Sequence, residues 1–172
     1  MQKSTSGFTI VELIVIIVVI GIIATIAIVS YVGIQKATLN EQRRTELLGW
    51  KATFEKYKAA NGQYPAMANG GYCLGTGFPD GKCRNFNSTI NVYYESASTG
   101  LMAALTPFDP PAIGTRVPVE NVTVGPYVDY STSQISLSTA IASIDESDCP
   151  AGATKTWDNG SNRMVCRILL IR

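Results

Sequence analysis

The sequence predicts an α+β fold, in which one long N-terminal helix is followed by a small antiparallel sheet of three or four strands. Three features of the 172-residue chain predict this fold. Residues 13–35 are uncharged and mostly apolar, residues 36–60 carry apolar side chains at helical spacing, and several segments after residue 115 have the composition of strands. A chain of this length is expected to hold one domain of ordinary size.

The first element is the apolar segment, a run of 23 residues without a formal charge. At a rise of about 1.5 Å per residue, a helix of this length crosses a bilayer core of about 30 Å. The segment is rich in β-branched residues, which favour strands in water, but lipid requires the backbone to hydrogen-bond internally. A secretory signal peptide is the alternative, and its apolar region is shorter and precedes a small-residue cleavage site. We therefore predict a transmembrane helix.

One carboxylate, Glu12, lies inside the apolar stretch. A charge at the centre of a bilayer costs at least about 2.5 kcal/mol, so an intramembrane carboxylate is by default a functional residue with a partner. The alternative is that Glu12 only reaches the lipid headgroups from the end of the helix.

The residues around Glu12 form a specific pattern. Residues 7–13 read Gly-Phe-Thr-Ile-Val-Glu-Leu, follow a short polar leader and precede the apolar run. This pattern closely resembles the processing site of type IV prepilins and their relatives, the minor pilins and the pseudopilins of type II secretion. The resemblance implies cleavage between Gly7 and Phe8 by an aspartyl prepilin peptidase, N-methylation of Phe8, and an assembly role for Glu12.

The resemblance also implies a pilin-like division of the chain and a function. Residues 1–7 would be the prepilin leader, residues 8–35 the transmembrane and filament-core helix, and residues 36–172 the extracytoplasmic head. The subunit would be stored in the inner, cytoplasmic membrane as a single-pass protein with its N-terminus cytoplasmic, and then polymerise into an extracellular filament. Its partners would be other copies of itself in a helical filament, the prepilin peptidase and the pilus assembly machinery.

Orientation and role leave alternatives open. The basic residues alone favour the opposite orientation, because Lys3 precedes the span whereas Lys36, Arg43 and Arg44 follow it. The chain could also be a minor pilin or a secretion pseudopilin, or a membrane-anchored binding domain that never polymerises. Adhesion, motility and DNA uptake are all open as roles of the head surface.

Composition excludes several function classes. The 14 basic and 13 acidic residues nearly balance, whereas a generic nucleic-acid-binding protein carries a clear basic excess. The chain contains no histidine, which removes Ser-His-Asp and Cys-His catalysis and His-ligated metals. We therefore predict a structural protein without an enzymatic site, a cofactor or a metal.

Cleavage after Gly7 would place a new α-amine at Phe8, four residues from Glu12 and at the same membrane boundary. The amine is a natural partner for the carboxylate of its own or of an adjacent subunit, and pairing offsets much of the cost of burying both charges. A subunit whose charge is best paired by a neighbour would dock in one axial register.

The second element is an amphipathic helix over residues 36–60. An apolar stripe of Leu47, Trp50, Phe54 and Tyr57 is predicted to pack on the head, and Asn61-Gly62 is predicted to end the helix. Residues 61–114 are predicted to be an irregular connection because they are rich in glycine and proline, with a short helix over residues 98–105.

The remaining elements are strands of an antiparallel sheet within residues 115–172. The predicted strands are residues 116–124, 127–131, 134–144 and 164–171. In the third of these, Ile135, Leu137 and Ile141 alternate with small polar residues, which predicts a strand that is buried on one face.

Four cysteines form two local groups, Cys73 with Cys83 and Cys149 with Cys166. Neither spacing resembles a zinc-binding pattern. In the exported head that the resemblance implies, the cysteines are expected to form disulfides. Of the three connectivities, we favour Cys73–Cys83 and Cys149–Cys166, because each closes a compact loop.

Overall fold

The computed structural model describes residue 7 and residues 9–84, 93–111, 117–119, 122–158 and 163–171. The chain divides into two compact units, Met1–Thr38 and Leu39–Arg172. Residues 1–6 and Phe8, and with them the leader and the methylation site expected from the sequence, lie outside the described residues.

Helix α1 comprises Ile10–Asn61 and is continuous for 52 residues. From Ile10 to Ile28 its large apolar side chains are solvent-exposed, and none of the most apolar stretch is buried. This helix is long and apolar enough to cross a membrane. It ends as predicted: Gly62 has a φ of 78°, and its N–H donates to the carbonyl of Lys58 at 2.8 Å. Glycine is favoured at this position because a side chain would strain the left-handed conformation.

The main sheet of the second unit has five antiparallel strands in the order β1-β6-β7-β9-β8. The strands are β1 Gly70–Cys73, β6 Tyr127–Tyr130, β7 Ile135–Ile141, β8 Thr154–Asp158 and β9 Met164–Leu170. The longest ladder joins β7 to β9 and runs from the pair Ile135↔Leu170 to the pair Ile141↔Met164.

A second, smaller antiparallel sheet has the order β3-β2-β5-β4. Its strands are β2 Lys82–Arg84, β3 Tyr93–Tyr94, β4 Val117–Val119 and β5 Val122–Val124. The short helix α2, Thr99–Leu105, lies close to its predicted bounds. The α+β class and the pilin-like layout of a long helix followed by an antiparallel sheet are therefore confirmed.

The strand count differs from the expected three or four. The segment predicted to be irregular, residues 61–114, contributes β1, β2 and β3, which were missed because they are short and lie among glycines and turns. The segment predicted to be one strand, residues 116–124, contains the two paired strands β4 and β5. Strand β8 was also missed, because an edge strand of mostly polar residues lacks the apolar alternation that marks a strand.

The main core lies between α1 and the inner face of the five-stranded sheet. Leu47, Trp50 and Phe54 are fully buried and Tyr57 is partly buried, which confirms the predicted stripe. They belong to the same cluster as the inward side chains of the two central strands, Ile135, Leu137 and Ile141 of β7 and Met164, Ile168 and Leu170 of β9.

A second cluster covers part of the outer face of the five-stranded sheet. It contains Phe78, Tyr93, Tyr127, Val165 and the disulfide of Cys73 with Cys83. Strand β7 is therefore buried on both faces, including Ser136 and Ser138, and the expectation that it is buried on one face only is wrong. The small polar residues of this strand were expected to face solvent, whereas both serines are at most 3% exposed.

Candidate functional site

The candidate site is the start of α1, where Gly7 is exposed and the helix begins at Ile10. Among the described residues, none has an atom within 4 Å of a Cβ atom built on Gly7, so these residues leave the side-chain face of Gly7 open. Phe8, on the other side of the expected cleavage point, lies outside the described residues.

Thr9 and Glu12 form a reciprocal cap at the start of the helix. The backbone N–H and the hydroxyl of Thr9 each donate to Oε2 of Glu12 at 2.8 Å. In return, the backbone N–H of Glu12 donates to Oγ1 of Thr9 at 3.3 Å. The spacing Thr-x-x-Glu is that of a capping box, which satisfies N–H groups that have no partner inside the helix.

The cap fixes where the negative charge of Glu12 is held. A carboxylate in the first turn is stabilised by the positive end of the helix dipole. Oε2 accepts both hydrogen bonds from Thr9, whereas none of the described residues donates to Oε1. The side chain of Glu12 is exposed, so one carboxylate oxygen is held and the other is accessible to a donor from outside the unit.

The sequence singled out Glu12 but not Thr9. The signal was present, because a threonine three residues before a glutamate at the start of an apolar run is a pattern typical of a helix N-terminus. It was missed because Glu12 was considered only as a charge in an apolar stretch, and not as a capping residue.

The apolar surface of α1 begins directly after this cap. From Ile10 to Ile28, large apolar side chains are 46% to 79% exposed and lie on every face of the helix. Such a surface is stable only in lipid or against other apolar surfaces, because exposure to water costs about 25 cal/mol per Å² of apolar area. The cap and the apolar surface therefore form one continuous segment.

The structure also gives the arrangement of the four cysteines. Cys73 and Cys83 are joined by a disulfide, as are Cys149 and Cys166, and in each pair the Cα atoms are 5.5 Å apart. These are the two pairs that the sequence favoured. Cys73–Cys83 lies in the second cluster, and Cys149–Cys166 joins β9 to the loop before β8. Within the described residues, no three acidic or cysteine side chains are grouped so that they could hold a metal ion.

A protein-family model for the prokaryotic N-terminal methylation motif matches residues 2–28. This motif is the hallmark of type IV prepilin-like proteins. No curated protein and no solved structure matches the chain significantly. Together with the apolar helix, the motif indicates a membrane-anchored protein that undergoes prepilin processing.

Proposed function

We propose that this chain, which carries the hallmark motif of type IV prepilin-like proteins, is a structural subunit of a type IV pilus-like filament. The observation that supports this function is the continuity of the motif with an apolar helix whose side chains are exposed on every face. Such a helix can be stored in a bilayer and then buried among identical helices, exchanging lipid contacts for protein contacts.

Maturation is the first step of the proposed function. A prepilin peptidase hydrolyses the peptide bond between Gly7 and Phe8, which removes residues 1–7 and leaves a free α-amine on Phe8. That amine is then N-methylated. The hydrogen bonds between Thr9 and Glu12 do not involve the leader, so the helix cap is retained in the shortened chain.

Assembly is the second step, and Glu12 has the central role in it. The positive α-amine of Phe8, of the same or of an adjacent subunit, pairs with the Glu12 carboxylate in the apolar filament core. Thr9 holds Oε2 and leaves Oε1 accessible, which orients the carboxylate for a donor from a neighbour. Pairing is favoured because an isolated charge is very costly in apolar surroundings.

Location and partners follow from the same proposal. The subunit is stored in the cytoplasmic membrane with its N-terminus cytoplasmic, residues 8–35 spanning the bilayer and residues 36–172 forming the extracytoplasmic head. The prepilin peptidase and the pilus assembly machinery act on the stored subunit, and the final partners are other copies of the same chain.

The test combines the mass of the protein with its cellular fraction. The protein is purified from its native cells, separately from membranes and from sheared surface filaments, and its intact mass and N-terminal peptide are determined. We expect both pools to start at Phe8 with a methylated amine. Filaments whose subunits begin at Met1 would overturn the maturation step, and absence of the chain from sheared filaments would overturn the filament role.

Two variants sharpen this test. Gly7→Leu places a bulky side chain beside the bond to be cleaved, and we expect it to keep residues 1–7 and to form no filaments. Gly21→Ala is the matched control, because Gly21 lies in the apolar helix and a Cβ atom there meets no other atom within 4 Å. It should be processed normally.

A minor pilin or a type II secretion pseudopilin would use the same processing and the same assembly chemistry. Abundance separates these from a major subunit, since a minor component or a pseudopilin is scarce in sheared filaments. A membrane-anchored binding domain that never polymerises would be found only in the membrane fraction.

A further inference from the structure

At the start of the second unit, three polar side chains of α1 bind strand β7 or the segment that follows it. Asn40 bonds with the residue that follows β7 in both directions: its Nδ2 donates to the carbonyl of Ala142 at 3.2 Å, and the N–H of Ala142 donates to its Oδ1 at 2.8 Å. The side-chain amide of Asn40 therefore replaces a strand partner where the ladder between β7 and β9 ends.

Arg43, one turn further along the helix, binds the same strand. Its Nη1 donates to the carbonyl of Ala140 at 3.0 Å, and the side chain is only 1% exposed. Burial lowers the pKa of Arg43 to about 10, and the nearby Glu46 carboxylate opposes that shift, so the guanidinium is charged at neutral pH. A buried charge of this kind requires a fixed environment, because displacement would leave it without its hydrogen-bond acceptor.

Arg44 binds the loop that follows β7. Its Nε donates to the carbonyl of Asp148, and its Nη2 forms an ion pair with Oδ1 of Asp148 at 2.5 Å. The hydroxyl of Ser143 donates to the other oxygen of the same carboxylate. The next residue, Cys149, is bonded to Cys166 in the middle of β9, so Arg44 is connected to β9 through Asp148 and the disulfide.

Apolar packing contributes little at this part of the helix. The cluster between helix and sheet begins at Leu47, and Leu39 is 38% exposed. The buried positions before Leu47 are the polar residues Asn40, Arg43 and Glu46. Polar bonds to the sheet must therefore hold residues 40–46.

We propose that Asn40, Arg43 and Arg44 act together as a clasp that fixes the first turns of the head helix on β7 and β9, and that the Cys149–Cys166 disulfide is its covalent part. The clasp sets the residue at which α1 leaves the sheet. With the clasp open, Leu47 and Trp50 keep their packing while the turns before them are released. This inference does not depend on filament assembly, because every contact lies within the head.

The amide hydrogen of Ala142 reports on the clasp, because it is bonded to Asn40. We would measure its exchange with deuterium by NMR in the full chain in detergent micelles, relative to the amide of Leu137 in the middle of β7. The ratio of the two exchange rates does not change when a substitution accelerates exchange of both amides equally. Arg44→Lys keeps the positive charge but cannot make both contacts that the guanidinium makes with Asp148. The variant leaves both bonding partners of the Ala142 hydrogen bonds, Asn40 and Ala142, unchanged. Loss of a charged hydrogen bond should raise the ratio by about tenfold or more.

The two disulfides provide a matched pair of variants. The double substitution of Cys149 and Cys166 by serine should raise the ratio in the same way, whereas the double substitution of Cys73 and Cys83 should leave it unchanged. An unchanged ratio in Arg44→Lys, or an equal rise after loss of either disulfide, would overturn the proposal. A ratio that rises only in Asn40→Leu would also overturn the proposal, because the bonds of Asn40 would then be independent of those of Arg44.

Discussion

Thr9 and Glu12 bind each other in both directions, so that the one carboxylate in the apolar segment is also the capping group of its helix. This pairing separates two properties of Glu12 that the sequence alone presents as one. The hydrogen-bonding atoms close the first turn of the helix, and the charge is available for a partner. Substitutions can remove each property separately.

Glu12→Gln removes the charge and keeps the cap, because glutamine also serves at this position of a capping box. The membrane should tolerate the variant, since a neutral amide is cheaper to bury than a carboxylate. Assembly should fail, because the Phe8 amine of a neighbour is left without its partner in apolar surroundings. We expect cleaved subunit to accumulate in the membrane while sheared filaments fall sharply. If Glu12 only reaches the headgroups, filament yield will equal that of the wild type.

Thr9→Val has the same shape but lacks the hydroxyl that binds both the carboxylate and the amide of Glu12. Loss of a helix cap costs about 1 kcal/mol, so hydrogen exchange at the Glu12 amide should become about fivefold faster. Thr9→Ser keeps the hydroxyl and is the control. The cap has no energetic role if valine and serine give the same exchange rate in micelles.

Gly71→Ala tests the packing of the second cluster. A Cβ atom at Gly71 would lie 1.0 Å from Cε1 of Tyr93, so the tyrosine ring has to leave its place. We expect the free energy of unfolding to fall by about 1–3 kcal/mol, as in other overpacked cores. Gly100→Ala is the control, because a Cβ atom there meets nothing within 4 Å. Urea unfolding gives the free energy of unfolding of both variants. Equal values for Gly71→Ala and Gly100→Ala would contradict the prediction.

Tyr93 predicts how the head responds to alkaline pH. Burial raises the pKa of Tyr93 above its usual value, and the hydrogen bond that its hydroxyl donates to Asp129 raises it further. The negative charge of Asp129 and the Tyr127 hydroxyl also raise this pKa, whereas the positive charge of Arg84 lowers it. Between the unfolded pKa of about 10 and the higher folded pKa, the unfolded chain binds fewer protons. The free energy of unfolding should therefore fall as pH rises above about 10.

Tyr93→Phe isolates this effect. The variant should be less stable near neutral pH, because Asp129 loses a donor, but its stability should fall less steeply above pH 10. Tyr64, whose pKa is raised to about 12 by burial and by its hydrogen bond to Glu55, titrates equally in both proteins and cancels in the comparison. Urea unfolding at several alkaline pH values gives the slopes; identical slopes would show that Tyr93 does not control the alkaline response.

Both disulfides should be present in protein taken from cells. Peptide mapping without reductant should find Cys73 linked to Cys83 and Cys149 linked to Cys166, with no free thiol. Loss of the second bond should cost about 3 kcal/mol, because it closes a loop of 17 residues. A crossed linkage would contradict the pairing.

Much of the fold could be predicted because its strongest elements have clear periodicity. The stripe from Leu47 to Phe54 and the alternation of apolar residues in β7 are patterns that burial imposes on sequence. Strands β1 and β8 could not be predicted in this way, because pairing with a neighbour places them in the sheet and not their own composition.

The polar contacts between α1 and the head could not be predicted from the sequence, for a different reason. Arg44 binds Asp148, and Arg43 is almost fully buried. Their acceptors are about 100 positions away along the chain, at Ala140 and Asp148, and nothing in the local sequence identifies them. Glu12 could be identified from the sequence because it is the one charged residue within an apolar stretch.

The attachment of the head helix has a mechanical consequence. Because α1 is continuous, a tension applied along it reaches Asn40, Arg43 and Arg44 before it reaches Leu47. These side chains hold the end of β7 and, through a covalent bond, β9, two central strands that are paired over their whole length. A load carried by the three side chains is therefore divided between two strands that are paired with each other, and separating these strands requires their ladder of hydrogen bonds to break.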